Sequence, residues 1–277
     1  MDELPLLQRG GSLKCEKNHS FDINKDGYCN LLLVQQKNSK DPGDNKEMVA
    51  ARKRFLEQKF YQPLLSKLVQ PILEFAQIHS RLRQLSIVDA GCGEGYYLHN
   101  IAEQLAQVPS EMQLNLAGFD ISKWAIQAAA KRNRDIAWCV ASNKNPPYAK
   151  SSIHIILSLF GFPNWESFSR IQSKDGIILL CDSEENHLLE LRQIIYDEVK
   201  VTTPPSLDLA LANGYREIKN ERVQFAISAP NQATIQDLLD MTPHAYRAKE
   251  DGLARLREYS SLETQGDIRL RVLKLEK

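Results

Sequence analysis

The sequence predicts an α/β fold built on a mostly parallel sheet, with a small irregular module in front of it. Three observations predict this. Ile87-Val88-Asp89 is an apolar pair ending in an acid, and Ala90-Gly91-Cys92-Gly93-Glu94-Gly95 follows it with glycines at alternate positions before a helix-like run. Leu114 to Phe119 is a second apolar stretch ending in an acid, Asp120, 31 residues after Asp89, with helix-like sequence from Tyr97 to about Gln107 between the two. Further apolar runs at 136–142, 153–160, 177–180, 222–229 and 268–274 alternate with helical patterns at 123–132, 187–200 and 232–240. A strand, helix, strand order of this kind makes a parallel βαβ sheet, here Rossmann-like and seven-stranded with an antiparallel last strand.

The first βα turn carries the chemistry. Glycines there adopt backbone conformations closed to other residues and let a ligand approach the main chain without a Cβ in the way. The spacing is G-x-G-x-G rather than the G-x-G-x-x-G that seats a pyrophosphate on a helix N-terminus. It resembles the first motif of the class I S-adenosylmethionine (SAM) methyltransferases. Asp89, Gly91 and Gly93 are therefore candidate cofactor-binding residues. Asp120, at the end of the second strand, stands where an acid accepts both ribose hydroxyls. A helix-cap role for Asp120 is the competing reading, but Ser122 is placed to cap the helix from Lys123 to Arg132.

Composition bounds the rest. The chain has 277 residues, enough for one large domain with a small one beside it, and its 35 basic residues balance its 35 acidic ones. A neutral chain binds nucleic acid only through a local patch. Cys15, Cys29, Cys92, Cys139 and Cys181 are scattered and odd in number, as expected of free thiols in a reducing cytosol. No apolar run reaches membrane-spanning length, and acidic Asp2 and Glu3 do not open a signal peptide, so a cytoplasmic location and no membrane partner are expected.

From the start of the chain, residues 1–34 read as a zinc-ribbon-like module, 35–60 as a basic linker and helix, and 61–277 as the main domain. Cys15 and His19 have a C-x3-H spacing that suits zinc, but a tetrahedral site needs four ligands, and neither Cys29 nor His79 has ligand spacing. From Lys14 to Lys59 there are ten Lys or Arg against seven Asp or Glu. Asp41-Pro42-Gly43-Asp44 is a turn, and Asn45 starts a helix over 47–56 with Met48, Ala51, Phe55 and Leu56 on one face. Arg52, Lys53 and Arg54 spread over the others, as a solvated face or as phosphate contacts. A second amphipathic helix, over 61–83, is interrupted at Pro71.

Taken together, Asp41-Pro42-Gly43-Asp44, Glu47-Met48, Ala51-Arg52, Phe55-Leu56, Tyr61-Gln62-Pro63-Leu64, the loop from Asp89 to Tyr97, Asp120-Ile121-Ser122-Lys123, His187-Leu188 and Met241-Thr242-Pro243 resemble the bacterial 23S rRNA guanine-N1 methyltransferases (RlmA, also RrmA) along nearly the whole chain. The resemblance implies a class I SAM-dependent methyltransferase behind a small zinc-binding domain, working as a homodimer on 23S rRNA. It implies that Tyr61, Tyr97, Leu98 and His187 contact SAM, against packing or helix-end roles read from the residues alone. It implies zinc held by C-x2-C and C-x3-H. Cys15 and His19 match the second half, whereas Leu4-Pro5-Leu6-Leu7 puts leucine at both ligand positions of the first. Half a zinc site is expected, with zinc binding in doubt.

Two later stretches also depart from the family. Asn145-Pro146-Pro147-Tyr148 resembles the motif that binds a planar target nitrogen in amino-methylating enzymes, but it follows the third strand where that motif follows the fourth, so it reads as an ordinary loop. After the fourth strand the family's Y-A-P becomes Gly161-Phe162-Pro163, leaving Phe160, Phe162 or Trp165 to stack on a base or to pack in the core. Asp175-Gly176 is a turn into the fifth strand, and Asp182-Ser183-Glu184-Glu185 sets acids beside the expected RNA path. The reading is methylation of guanine N1 in 23S rRNA. The alternatives are a methyltransferase of this fold acting on a small molecule or a protein, or a non-catalytic SAM- or RNA-binding relative.

Overall fold

A computed structural model describes residues 4–33, 35, 39, 41–108, 111–201 and 203–276. The readings placed on Asp2, Glu3 and Val34 lie outside the described residues. The N-terminal module is a three-stranded antiparallel sheet of β1 (Leu7–Arg9), β2 (Ser12–Lys14) and β3 (Ser20–Asp22). Leu7 lies opposite Lys14 and Leu13 opposite Phe21.

The main sheet contains β4 (Cys29–Asn30), β5 (Gln84–Ala90), β6 (Gln113–Asp120), β7 (Ala137–Val140), β8 (Ile153–Leu159), β9 (Gln172–Ser183), β10 (Tyr215–Ala229) and β11 (Leu262–Leu275). Their order is β10-β11-β9-β8-β5-β6-β7-β4. This corrects the expected seven strands to eight among the described residues. The eighth is β4, a short strand of the N-terminal module that pairs in parallel with β7, Cys29 opposite Cys139. Satisfying the open edge of β7 in this way anchors the module to the sheet. Strand β11 runs antiparallel to both β9 and β10, as expected of the last strand.

Side chains alternate across the sheet. Ile155, Leu157, Ile177 and Leu179 enter one apolar core, while Ile156, Ile178 and Leu180 enter the other. The first core receives α1 (Lys46–Glu57), α2 (Gln62–Ile78), α3 (Tyr96–Leu105), α4 (Lys123–Arg132), α6 (Leu189–Ile195), α8 (Gln232–Asp240), the short α9 (His244–Arg247) through Ala245, and α10 (Glu250–Arg257). The second receives α5 (Trp165–Ile171) and α7 (Asp208–Ala212). Asn45 and Ser122 accept backbone N–H groups at the starts of α1 and α4, as their sequence positions predict.

Within the 35–60 segment the expected helix forms as α1, with Phe55 fully buried and the helix against the core. Three local expectations change. Helix α2 runs unbroken through Pro71. A proline in a helix interior costs about 3 kcal/mol, whereas each of the buried side chains Leu64, Leu65, Leu68, Ile72 and Phe75 contributes about 1.5–3 kcal/mol, so packing wins. The turn at Asp175-Gly176 is absorbed as an irregularity inside β9, with Asp175 at φ +60°. The helix expected over 187–200 shrinks to α6, because Arg192 donates to the carbonyls of Glu185, His187 and Lys200 and so folds the following segment back over itself.

Candidate functional site

The chain runs β5, β6, β7 outward to one side and then returns to place β8 on the other side of β5. Ligands bind at such a reversal, in the crevice beyond the carboxyl ends of the strands. Asp89 lies at that end of β5, Asp120 at that end of β6 and Phe160 just past β8. The glycine loop turns between them with Gly91, Gly93 and Gly95 all at positive φ. A Cβ on Gly91 would meet no atom within 4 Å, so open space lies over that residue.

The two acids are held differently. Asp120 accepts the Gly93 N–H on Oδ2 at 3.0 Å and the Ser122 N–H on Oδ1 at 2.8 Å. Asp89 is 1% exposed, and its Oδ1 has no hydrogen-bond partner among the described residues. Burial first, and the neighbouring Asp120 second, push its carboxyl up to about 8. A buried, unpartnered carboxyl oxygen under an open glycine loop is what a cationic ligand with donor groups would satisfy. On that observation the residues present fit SAM.

Four aromatic rings close one side. Phe160 stacks on His187 at 6.2 Å and 20°, and stands edge-on to Tyr61 at 6.3 Å. Tyr97 approaches Phe160 at 6.4 Å. Tyr61, Tyr97 and His187, far apart in sequence, are thus brought together around Phe160. His187 accepts the Asp267 N–H on Nδ1, and burial lowers its pKa to about 4, so it is neutral with the proton on Nε2. Leu98 is fully buried in the core. Its backbone lies in the first turn of α3, just after the loop.

The structure also assembles what the sequence reading scattered. The Asp41–Asp44 turn seats against the loop after β6: a Cβ on Gly43, which has φ +82°, would come within 2.9 Å of Ile121 and Ser122. Ser122 donates its hydroxyl to the Asp44 carbonyl. Arg52 pairs with Asp44, donates to the Met241 carbonyl at 2.9 Å and lies beside Gly93. Asn45 donates to the Tyr246 hydroxyl. The D-P-G-D turn, the glycine loop and the M-T-P loop are therefore one contiguous region. Asp44 and Arg52 were missed as members of the site, although the Met48, Arg52, Phe55 spacing already put Arg52 on the border of the buried face of α1.

On α1, Arg54 is engaged by Asp237 and Lys53 lies 3.8 Å from Glu57, and both side chains stay exposed, in keeping with a solvated face. The acids at the end of β9 and just beyond it are engaged. Glu184 pairs with Arg269, Arg222 pairs with Asp267 and Glu185, and burial raises Asp182 to about 6 with Arg271 opposing the shift. Trp165 belongs to the core, edge-on to Tyr215, whereas Phe160 and Phe162 are exposed. Asn145–Tyr148 is a loop between β7 and β8. Arg170 of α5 holds the Pro146 and Tyr148 carbonyls, and the Tyr148 ring packs on Phe119.

Cys15 and His19 do come together, Sγ to Nδ1 3.4 Å, in a knuckle closed by the Cys15 N–H to His19 carbonyl bond. Among the described residues no group of three or more His, Cys, Asp or Glu could hold a metal ion. Cys29 donates instead to the Asp22 carbonyl, and His79 packs on Phe75 at the end of α2. Two donors do not fit a four-coordinate structural zinc. The five cysteines are free thiols.

The strand order, the glycine loop and the two strand-end acids define a class I SAM-dependent methyltransferase. Residues 1–40 match the family described as RlmA, N-terminal, a zinc ribbon, and residues 82–219 match the one described as Methyltransferase domain. The chain is 29% identical over 94% of its length, and 89% of the relative's, to a provisionally named 23S rRNA (guanine-N(1)-)-methyltransferase of Bacillus subtilis (strain 168). It is 26% identical over 91% of its length, and 86% of the relative's, to the 23S rRNA (guanine(748)-N(1))-methyltransferase of Streptomyces fradiae. Its first 40 residues thus resemble the RlmA N-terminal family, and nearly its whole length is similar to 23S rRNA (guanine-N1)-methyltransferases. A chain from the complex of the Haloferax volcanii Trm112 methyltransferase activator with a provisionally named methyltransferase shares the fold, with a TM-score of 0.51 at 16% identity over 83% of this chain and 96% of that one.

Proposed function

We propose that this protein transfers the methyl group of SAM to N1 of a guanine in 23S rRNA. The observation that carries the reading is the convergence of Asp89, the glycine loop and Asp120 with the D-P-G-D and M-T-P segments at one sheet edge. The names of the two relatives point to the same reaction. SAM supplies an electrophilic methyl on a sulfonium, so the protein's task is mainly positioning and exclusion of water.

Asp120 takes the ribose hydroxyls while the Gly93 and Ser122 amides fix its orientation. Gly91 and Gly93 let the methionine end lie on the backbone, and Asp89 sits beneath it. Tyr61, Tyr97 and His187 wall the cofactor, with the Leu98 backbone at the helix end. Phe160, partly exposed and at φ +58°, offers its face to the target base. A non-glycine residue in the left-handed region costs about 1–2 kcal/mol, and the neighbouring rings hold it there. A guanine inside folded rRNA is reached only when unpaired or flipped out. The neutral His187, with its Nδ1 already accepting, can donate from Nε2 and does not serve as the base that removes the N1 proton.

The homodimer of the family is expected here too, and a sedimentation mass of one chain would remove it. No described helix is long and apolar enough to cross a membrane. A cytoplasmic location is expected from an rRNA substrate. The test is transfer of tritiated methyl from SAM to 23S rRNA lacking this modification, followed by nucleoside analysis and mapping. Label in 1-methylguanosine is the expected result. Cofactor binding with no label in rRNA would overturn the substrate and leave the cofactor site standing.

A further inference from the structure

We infer that Arg52 binds the carboxylate of the cofactor's methionine end and that Asp44 holds the guanidinium in place for it. This rests on the SAM reading of the site. The charges around the glycine loop are the reason. Asp89, Asp120, Asp44 and Glu94 all lie in or against it, and SAM brings an ammonium, a sulfonium and one carboxylate. The acids suit the two cations. The carboxylate would face only like charge unless a cation stands at the loop.

Arg52 is that cation. Its Nη1 would lie 3.5 Å from a Cβ on Gly93, so the guanidinium overhangs the second glycine of the loop. Its side chain is 23% exposed, reachable from the cleft yet sheltered enough for a charged hydrogen bond to count. A guanidinium has five N–H donors. Asp44 engages Nη1 and the Met241 carbonyl engages Nη2, which leaves donors for a ligand. The other cations nearby are committed elsewhere: Lys53 to Glu57, Arg54 to Asp237, and Arg132 to Glu94 inside the protein. Arg52 also spans three segments, so a ligand that draws on it is felt at the Met241 loop.

The test compares two ligands on the full chain by calorimetry: SAM, and decarboxylated SAM, which keeps the sulfonium and the amine and lacks only the carboxylate. Wild type is expected to bind SAM at least about tenfold more tightly, the factor of one charge-assisted hydrogen bond. Arg52→Gln should lose about that factor for SAM and keep its affinity for the decarboxylated ligand. Arg52→Lys, which retains the charge and loses the fork, should fall between. Thermal melting of each variant checks folding. Equal losses for both ligands would make Arg52 a structural pin and overturn the inference, as would no loss for either. Wild type that binds neither ligand would sink the cofactor reading itself, and this inference with it.

Discussion

Gly93 donates its backbone N–H to Asp120 Oδ2 at 3.0 Å, so the middle glycine of the loop and the acid of the next strand form one hydrogen-bonded unit. Ser122 completes it on Oδ1. Asp120→Ala leaves both amides without this acceptor and removes the proposed ribose contact. It should destabilise the fold by about 1–3 kcal/mol and weaken SAM binding tenfold or more. Asp120→Asn keeps one acceptor and should cost less stability. Denaturant melts and calorimetry on the two variants read this, and equal effects would refute it.

Asp89 makes stability and cofactor binding depend on pH. Its carboxyl rises from the ordinary 3.8 to about 8, so the folded chain holds a proton there that the unfolded chain has lost. The group's contribution is therefore full below 3.8 and declines as pH rises through about 8. A cationic cofactor favours the carboxylate, so SAM should bind more tightly as pH rises toward 8 and release a proton. Calorimetry in buffers of different ionisation enthalpy counts that proton, and Asp89→Asn should abolish it.

The loop is pinned from behind by the buried pair of Glu94 and Arg132, with side chains 1% and 9% exposed. Arg132 also donates to the Glu94 backbone carbonyl. Removing one partner strands the other charge, which costs about 3–5 kcal/mol in such settings. Arg132→Met should lower stability by that order. A melt within about 1 kcal/mol of wild type would show that Glu94 is neutralised by other means.

In the proposed site Phe160 stands ready to stack on the target base. Stacking of a base on an aromatic ring contributes about 1–3 kcal/mol, so Phe160→Ala should slow methylation of rRNA about tenfold or more. Phe160→Tyr should restore most of the rate. A full rate in the alanine variant would place the target base elsewhere.

The N-terminal module tests the missing ligands. Leu7 lies opposite Lys14, next to Cys15, on the antiparallel β1–β2 ladder. Leu4→Cys with Leu7→Cys should create a four-ligand site and give about one zinc per chain by elemental analysis, against a substoichiometric amount in wild type. Stoichiometric zinc in wild type would show that other donors complete the site.

Much of the site was legible because the signals are local. Asp89, Gly91, Gly93 and Asp120 declare themselves by strand-end spacing, and Ser122 and Asn45 cap the helices that follow them. Alternating apolar residues placed the strands, although not their full lengths: β10 and β11 pair over a long antiparallel ladder whose charged residues hide the pattern. The pairing of Asp182, Glu184 and Glu185 was not legible, because the arginines that face them, Arg222, Arg269 and Arg271, lie far along the chain on β10 and β11.

The sequence by itself determined the fold class, the glycine loop after the first core strand and the acids at two strand ends, because each depends on neighbours a few residues away. Only the tertiary structure decided which distant groups meet there. It brought Tyr61, Tyr97, Phe160 and His187 into one aromatic wall, and Arg52 onto Gly93 between Asp44 and Met241. The physical reason is that a charge or a ring takes its role from the partners packed against it. Those partners are set by sheet order and helix packing, which local spacing does not encode.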